Sequence, residues 1–337
     1  MPEQINRQIV LASRPVGYPK ESDFKLIETE LPRADEGEVV VRAIWLSLDP
    51  YMRGRLNDVQ SYAPAVEIGG VMVGGVAGEV VESRSPAYKV GDIVQGPLGW
   101  QEYAVSDGRN LAIVDRSLGP LSTFMGVLGM PGMTAYFGLL DVGSPEPGDT
   151  VVVSAASGAV GQVVGQIARI MGCRVVGLAG SAQKTDFLIN DLGFDAAINY
   201  RTDNVESALD ANCPDGIDVY FDNVGGYITD AVLERINTFA RISVCGQISQ
   251  YNLEEPELAP RNLRFLIVNQ ARMEGFLVTK FAARFDEARK RMSKWMATGQ
   301  LRYREDVVDG LAKAPGALIG MMTGENFGKL LVKVSEE

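Results

Sequence analysis

A glycine-containing turn lies between a predicted buried strand and a predicted amphipathic helix. It reads Ala156-Ser157-Gly158-Ala159-Val160-Gly161, the GxGxxG pattern with alanine at the first position. Gly158 lets the backbone approach a pyrophosphate, and Gly161 lets the helix pack closely against the strand. The N-terminus of that helix favours an anion through its free N–H groups and its dipole. The turn therefore predicts a dinucleotide site.

The end of the next predicted strand distinguishes the two nicotinamide dinucleotides. An NAD site carries an acid about 20 residues further along, where it binds the adenosine ribose 2′-hydroxyl. Residues 176–181 read VGLAGS and contain no acid, whereas Lys184 follows on the next helix and Tyr200-Arg201 ends the third strand. Because a cation with hydroxyl groups suits a 2′-phosphate, we predict NADP(H) as the cofactor.

The chain of 337 residues contains no histidine, and this absence excludes several mechanisms. Neither a Ser-His-Asp or Cys-His catalytic unit nor a histidine-ligated zinc or iron site can be built. The three cysteines, Cys173, Cys213 and Cys245, are widely spaced and form no CxxC pair, so we predict no bound metal and no disulfide. Acid–base chemistry is left to Asp, Glu, Lys, Tyr, Cys, water or a cofactor hydroxyl.

Two kinds of secondary structure must position these residues. Up to residue 125, short apolar strands at residues 38–48, 71–83 and 89–96 are separated by turn residues, which is typical of a small barrel. From residue 126, strands alternate with helices, which indicates a parallel α/β sheet. The tail from residue 301 returns to a strand-like pattern, and we expect it to rejoin the first domain.

The α/β region is predicted in more detail from its hydrophobic periodicity. Strands are expected at residues 149–156, 174–180, 194–200, 218–224, 240–248 and 272–278. Helices are expected at residues 159–171, 182–192 and 281–298. We therefore predict a doubly wound Rossmann domain that binds NADP over residues 126–299, and a β-barrel-type substrate domain over residues 1–125 and 300–337.

The composition is that of an ordinary globular protein, with 46% hydrophobic and 22% charged residues. The formal net charge of −11 argues against nucleic acid or an anionic membrane as the main partner. We find no apolar run of about 18 residues and no signal-peptide pattern. Together with the unpaired cysteines, these features lead us to expect a cytoplasmic protein that acts on a small molecule.

Nine motifs spread over essentially the whole chain carry a family resemblance. They are LSLDPYMRGR (46–55), LGMPGMTAYFGLLDVG (128–143), AASGAVGQ (155–162), GSAQK (180–184), LGFDAAINY (192–200), YFDNVGG (220–226), CGQIS (245–249), RMEGFLV (272–278) and GENFGKLLVKV (324–334). In them the chain resembles the zinc-independent branch of the medium-chain dehydrogenase/reductase superfamily, in its group of prostaglandin/leukotriene, alkenal and curcumin reductases. The resemblance implies a GroES-like substrate domain beside the Rossmann domain, and a homodimer joined through the Rossmann domain.

The same resemblance implies where the cofactor lies. The nicotinamide end is expected beside Met130, Thr134, Phe276, Leu277, Val278 and Asn326. The pyrophosphate is expected on Gly158, Ala159 and Val160, and the 2′-phosphate on Gly180, Lys184 and Tyr200. The ribose and adenine are expected along Asn223, Cys245 and Gly246.

Enone reduction is the activity that the resemblance implies, and it needs no histidine. A hydride from NADPH reaches the β-carbon of a C=C bond conjugated to a carbonyl, and charge collects on the carbonyl oxygen. The nicotinamide ribose 2′-hydroxyl is a candidate donor to that oxygen, and the α-carbon takes its proton from Tyr51 or from water. Tyr51 is the catalytic candidate and lies in the expected substrate cleft, with Tyr62 and Met322 as further substrate contacts.

Two positions depart from the patterns of relatives. Zinc-dependent relatives carry Gly-His-Glu where this chain has Gly69-Gly70, so a zinc-dependent alcohol dehydrogenase is excluded. Relatives from eukaryotes often carry a tyrosine six residues before the Glu of the RMEGF motif, and this chain has Val268 there. The proton donor and the orientation of the enone therefore stay open, as do two alternatives: a quinone reductase and an NADPH-binding protein without turnover.

Overall fold

The computed structural model describes residues 5–337, which divide into two compact units. One unit comprises residues 5–126 together with Glu305–Glu337, and the other comprises Val127–Arg304. The strands are, in chain order, β1 (Ile5–Leu11), β2 (Phe24–Glu30), β3 (Val39–Ser47), β4 (Val76–Ser83), β5 (Ile93–Gly96), β6 (Tyr103–Ser106), β7 (Ala112–Ile113), β8 (Thr150–Val153), β9 (Arg174–Ala179), β10 (Ala196–Asn199), β11 (Ile217–Asp222), β12 (Ile236–Val244), β13 (Arg272–Gly275), β14 (Glu305–Asp309) and β15 (Lys329–Lys333).

The helices complete the element list. They are α1 (Tyr51–Gly54), α2 (Met130–Phe137), α3 (Gly161–Ile170), α4 (Ala182–Asn190), α5 (Val205–Asn212), α6 (Gly226–Leu233), α7 (Arg264–Val268), α8 (Phe285–Ala297) and α9 (Ala314–Met322). Within residues 5–337, no helix has both the length and the apolar character needed to cross a membrane.

A mostly antiparallel sheet builds the first unit. Its strand order is β14-β15-β3-β4-β5-β7, with β6 paired to β3, and β1 and β2 form a separate two-stranded ribbon. Strand β3 pairs with β4 along one edge, and with β6 and then β15 along the other. Seven of its nine residues are buried, including adjacent ones, so side chains on both faces of this strand are covered. The C-terminal strand thus belongs to the first unit.

Six parallel strands build the second unit. Their order is β10-β9-β8-β11-β12-β13, so the chain reverses its direction of travel between β8 and β11. This is the order of a Rossmann fold, in which ligands bind at the carboxyl ends of the strands beside the reversal. All four residues of β8 are buried, and Val163, Val164 and Ile167 of α3 are buried as well. The predicted fold, a Rossmann unit with a second, mostly antiparallel unit, is confirmed.

Several element boundaries differ from the prediction. The strand predicted from residue 71 begins at Val76, since residues 71–75 hold two glycines and Val71 forms only an isolated bridge with Val10. The helix predicted over residues 281–298 is a 3-10 segment, Val278–Arg284, followed by α8. Strand β12 begins at Ile236, earlier than predicted, and an irregularity at Phe239, with φ of 65°, interrupts its pairing with β11.

Candidate functional site

The predicted phosphate-binding turn lies at the reversal point of the parallel sheet. Ala155 adopts a left-handed φ of 48°, and the Ala156 N–H donates to the Leu178 carbonyl at 2.9 Å. A Cβ on Gly161 would lie 2.4 Å from the Ala155 carbonyl oxygen, so only glycine fits there. Residues 158–160 remain partly exposed at the start of α3, where the helix dipole favours an anion.

A pair of hydrogen bonds joins the carboxyl ends of β8 and β11 beside this turn. The Asn223 backbone N–H donates to Ser154 Oγ at 2.9 Å, and Asn223 Nδ2 donates to the Ser154 carbonyl at 2.8 Å. Ser154 is fully buried, whereas Asn223 is half-buried. The two bonds hold the predicted ribose-binding Asn223 against the strand that leads into the phosphate turn.

A buried carboxylate, Asp222, organises the loop that carries Asn223. It accepts hydrogen bonds from the N–H groups of Val224 and Gly225, at 2.9 and 2.8 Å. It also accepts from the hydroxyls of Tyr220 and Thr229, at 3.0 and 2.7 Å. Our sequence analysis did not identify Asp222 as part of the site, although an acid at the end of a buried strand is a usable signal.

The predicted adenine-side residues follow β12 and are held by the same loop. The backbone N–H groups of Cys245 and Gly246 donate to the Asp222 carbonyl at 2.8 and 3.1 Å. Burial, and then the nearby Asp222 carboxylate, raise the pKa of the Cys245 thiol to about 12. Cys245 is therefore a neutral thiol at physiological pH, which suits a wall for an uncharged ring.

The predicted 2′-phosphate residues come together around Gly180, at the end of β9. A Cβ on Gly180 would lie 2.6 Å from Tyr200 Oη and 3.3 Å from Arg201 Nε, so both side chains cover this glycine. Ser181 caps α4 by accepting from the Lys184 N–H at 3.3 Å, which places Lys184 in the first helical turn. Arg201 thus lies beside the Tyr200 hydroxyl and is a second cation, after Lys184, near the predicted 2′-phosphate position.

The predicted nicotinamide-end residues of the second unit lie on α2 and after β13. Thr134 is 8% exposed and donates its hydroxyl to the Met130 carbonyl at 2.8 Å, while Met130 is 40% exposed. The Phe276 ring meets the Phe221 ring edge-on, with centroids 6.3 Å apart. That contact ties the segment after β13 to the end of β11.

Gly138 packs against Phe276, and Leu277 and Val278 follow Phe276 in the chain. A Cβ on Gly138 would lie 2.3 Å from the Phe276 ring, so the glycine makes room for the aromatic side chain. Leu277 is 48% exposed and Val278 is half-buried. These two side chains are available to a ligand, and their role stays a prediction.

The predicted substrate residues lie in the first unit. Tyr51 opens helix α1 and is half-buried; burial, then the Asp49 charge and then Tyr62, raise the pKa of its phenol well above the ordinary value. Tyr62 is 63% exposed, whereas Met322 is 8% exposed. Asn326 is half-buried and donates from Nδ2 to the Gly328 carbonyl at 3.1 Å. Tyr51 and Tyr62 are therefore neighbours, and Met322 offers a small exposed part of its side chain.

An ion pair that our sequence analysis did not identify lies beside Tyr51. Lys329 Nζ donates to Asp49 Oδ1 at 2.9 Å and to the Leu48 carbonyl at 2.6 Å. Ser47 Oγ donates to the other oxygen of Asp49. Two features of the sequence could have indicated this pair: a lysine within an apolar strand, and an aspartate shortly after another apolar strand.

Among the residues that the structure describes, no group of three or more His, Cys, Asp or Glu side chains is arranged to hold a metal ion. Where zinc-dependent relatives carry histidine, this chain has Gly69, with φ of +84°, and Gly70. Neither glycine has a side chain that could bind a metal.

Two family models match the chain. The model described as the N-terminal domain of oxidoreductase matches residues 7–114, and the model described as zinc-binding dehydrogenase matches residues 159–297. The second description refers to zinc, although this chain has no histidine.

Similar proteins extend over nearly the full chain. A putative NADP-dependent oxidoreductase, YfmJ of Bacillus subtilis, is 49% identical and covers 98% of each chain. The NADPH-dependent curcumin reductase of Escherichia coli is 46% identical over 99% of this chain and 98% of its own. The NADP(+)-dependent 2-alkenal reductase of Nicotiana tabacum is 45% identical over the whole of both chains.

Solved structures similar to this chain also extend over nearly its full length. CurA from Vibrio vulnificus in complex with NADPH superposes with a TM-score of 0.95 at 45% identity, covering 98% of this chain and 100% of that one. The quinone oxidoreductase of Escherichia coli, at 18% identity and a TM-score of 0.79 over 97% and 99% of the chains, shares the fold. The chain therefore belongs to the zinc-independent group of the medium-chain dehydrogenase/reductase superfamily that contains the curcumin, alkenal and prostaglandin reductases.

Proposed function

We propose that this protein is an NADPH-dependent reductase of C=C bonds conjugated to an aldehyde or ketone. The observation that carries the proposal is similarity of 45–46% identity, over nearly all of each chain, to relatives named as curcumin and 2-alkenal reductases. No histidine-dependent step is required, which agrees with the composition of the chain.

The geometry of the second unit fits NADPH. Gly158, Ala159 and Val160 would receive the pyrophosphate, because they lie partly exposed at the N-terminus of α3, which favours an anion. Lys184, with Gly180, Tyr200 and Arg201 beside it, would receive the 2′-phosphate.

The remaining cofactor contacts follow the strand ends. Asn223, Cys245 and Gly246 would line the ribose and adenine, held in place by Ser154 and Asp222. The nicotinamide end is assigned to Met130, Thr134, Phe276, Leu277, Val278 and Asn326.

NADPH, when bound, supplies the hydride that reaches the β-carbon of the substrate. Tyr51 supplies the proton that the α-carbon needs, so that one hydride and one proton together saturate the C=C bond. The raised pKa of Tyr51 keeps its phenol protonated at physiological pH, which makes it a donor and not a base. Tyr62 and Met322 would contact the rest of the substrate.

We propose that residues 126–299 form the NADP-binding domain, and that residues 1–125 with 300–337 form the substrate domain.

We further propose a cytoplasmic homodimer joined through the Rossmann unit, with no nucleic acid or membrane as a partner. Strand β13 is the edge of the parallel sheet, and three apolar side chains lie exposed near it: Phe239, Ile267 and Val268, at 62%, 82% and 70% exposure. The three free cysteines agree with a reducing compartment.

The function is tested by following NADPH consumption against 2-alkenals, chalcone-like enones and quinones, with product analysis by mass spectrometry. We expect turnover with the enones and alkenals and a product in which only the C=C bond is reduced. Turnover with quinones alone would replace the proposal with a quinone reductase. Tight NADPH binding without oxidation by any acceptor would identify a binding protein without turnover.

The homodimer is tested separately by light scattering. We expect twice the chain mass for the wild type and a shift toward monomer for Ile267→Glu, because the substitution places a charge in the exposed apolar surface. A wild-type protein that scatters as a monomer would overturn the homodimer and leave the reaction untouched.

A further inference from the structure

Lys329 is a buried cation in the first unit, and the proposed reaction gives it no role. Its side chain is 3% exposed and that of its partner Asp49 is 7% exposed. A charge removed from water to this degree is strongly destabilising unless it is paired and hydrogen-bonded. The Nζ atom has such partners in Asp49 Oδ1 and in the Leu48 carbonyl.

Both groups that Lys329 binds lie immediately before helix α1. The Asp49 carbonyl accepts from the Met52 N–H at 3.1 Å, which closes the turn that contains Tyr51. The Leu48 N–H donates to the Leu330 carbonyl at 3.2 Å, so strand β15 holds the same segment through its backbone. The Lys329 ammonium therefore binds Leu48 and Asp49, and the backbone of β15 binds Leu48, in the segment that leads to Tyr51.

The other oxygen of Asp49 is also occupied, and the alkyl part of Lys329 is packed. Ser47 Oγ donates to Asp49 Oδ2, so the carboxylate is held from both sides. A Cβ on Gly126 would lie 3.2 Å from Lys329 Cγ, which shows that the lysine stem fills its space closely. The carboxylate and the ammonium are thus held by neighbouring groups on more than one side.

We propose that Lys329 is a positioning residue for Tyr51: with Asp49 it sets the orientation of helix α1 and the charge that the Tyr51 hydroxyl meets. The inference rests on the proposed function only in assigning Tyr51 to the reaction. Lys329 acts through Asp49 and Leu48, so it is not itself a catalytic residue.

The charges around Lys329 and Asp49 determine whether removing either of them raises or lowers the pKa of Tyr51. Asp49 and Tyr62 raise the pKa of Tyr51, and Arg55 lowers it. Lys329 faces Asp49 and also Glu305, its register partner on β14, whose own pKa is raised by burial and lowered by Ser122 and Lys329. Removing the Asp49 charge should therefore lower the pKa of Tyr51, whereas removing the Lys329 charge leaves Asp49 unbalanced and should raise it.

The experiment places a fluorinated tyrosine at position 51 of the full-length protein and follows its ionisation by fluorine NMR. Fluorination brings the phenol pKa down into an accessible range. The titration is compared among the parent, Asp49→Asn, Lys329→Met and a control, Lys333→Met. Lys333 lies on the same strand, and its ion-pair partner Glu336 is 87% exposed.

We expect the Tyr51 pKa to fall in Asp49→Asn, to rise in Lys329→Met and to stay unchanged in Lys333→Met. Shifts in one common direction, or none in either variant, would overturn the proposal, because loss of packing alone has no reason to produce opposite signs. Should Lys329→Met fail to fold, Asp49→Asn decides: a fall supports the proposal and an unchanged titration overturns it.

Kinetics supply a second readout. We expect Lys329→Met to lower kcat for an enone by about 10²-fold, since a small misplacement of a reacting group has that effect, while the KM for NADPH stays unchanged. Lys329→Arg should recover part of kcat by keeping the charge. The titration requires no turnover, so opposite shifts without any NADPH oxidation would support this inference and reject the proposed function.

Discussion

Asn223 donates two hydrogen bonds to Ser154. Its backbone N–H donates to the serine hydroxyl at 2.9 Å, and its side-chain amide donates to the serine carbonyl at 2.8 Å. The two residues directly follow β11 and β8, the neighbouring strands between which the chain reverses its path through the sheet. This link therefore joins the two strand ends beside which a Rossmann fold binds its dinucleotide.

Ser154→Ala should weaken NADPH binding roughly tenfold, which corresponds to about 1.4 kcal/mol. The substitution leaves the Asn223 N–H without its hydroxyl acceptor, and an unsatisfied group of this kind costs about 1–3 kcal/mol. The dissociation constant is measured by calorimetry, with the exposed Ser207→Ala on α5 as the control. Equal affinities for both variants would show that the link does not shape the cofactor site.

Lys184→Ala should raise the KM for NADPH by about 10-fold to 100-fold and leave the KM for NADH nearly unchanged. A charge-assisted hydrogen bond contributes about 1.5–3 kcal/mol, and only NADPH carries the 2′-phosphate that would receive it. Arg201→Ala should act in the same direction, since its guanidinium lies over Gly180. Parallel losses with both cofactors would place the phosphate elsewhere.

Two glycine substitutions in the phosphate turn should separate folding from binding. In Gly161→Ala the new Cβ would lie 2.4 Å from a backbone oxygen, so we expect a loss of about 1–3 kcal/mol in the free energy of unfolding. In Gly158→Ala the nearest atom is the Ala155 oxygen at 3.2 Å, so stability should change little while NADPH affinity falls. Denaturant unfolding and cofactor titration measure the two effects, and equal stability losses would contradict this distinction.

Tyr51→Phe should lower kcat for an enone by about 10²-fold, the lower end of the contribution of a general acid. Burial and Asp49 raise the Tyr51 pKa, so the phenol stays protonated below about pH 10 and contributes no limb to the pH–rate profile there. A histidine limb near about pH 6.5 should also be missing, because the chain has no histidine. An unchanged rate in Tyr51→Phe would assign the proton to water.

The three thiols should resist alkylation in the folded protein at about pH 8. Burial is the main cause that raises the pKa of Cys173 and Cys213 to about 11 and that of Cys245 to about 12, so the reactive thiolate is scarce. Mass spectrometry after treatment with iodoacetamide should find three modified cysteines only under denaturing conditions. Rapid labelling of native Cys245 would show that its thiol is more open than this structure has it.

The parallel sheet and its phosphate turn could be predicted because both depend on residues close together in the chain. The i, i+3, i+4 pattern of Val160, Val163 and Val164 indicates α3, in which Val163 and Val164 are buried. Strands β1 and β2 went unpredicted, since β2 is mostly exposed and carries little apolar periodicity. The split of the segment before α8 also escaped prediction, because tertiary contacts such as the stacking of Phe281 on Phe137 hold its 3-10 turns.

In the candidate site, too, some features could be predicted from the sequence and others could not. The cofactor-binding segments and the preference for NADP(H) could be inferred from short motifs, although the roles of the individual residues stay predictions. The order of strands in the sheet brings Ser154 to Asn223, and it lays Tyr200 and Arg201 over Gly180. None of these contacts has a local signature, because hydrophobic periodicity indicates which face of an element is buried and not which element covers it.

By itself, the sequence determined that no histidine chemistry is available, that a Rossmann turn is present, and that the strand beyond it ends without the acid of an NAD site. Only the tertiary structure decided that Lys329 meets Asp49, a residue 280 positions away, and that Ser154 meets Asn223. The physical reason is one of range: residue types and local propensities act over a few residues, whereas buried polar pairs form only where the packed strands bring distant segments within hydrogen-bonding distance.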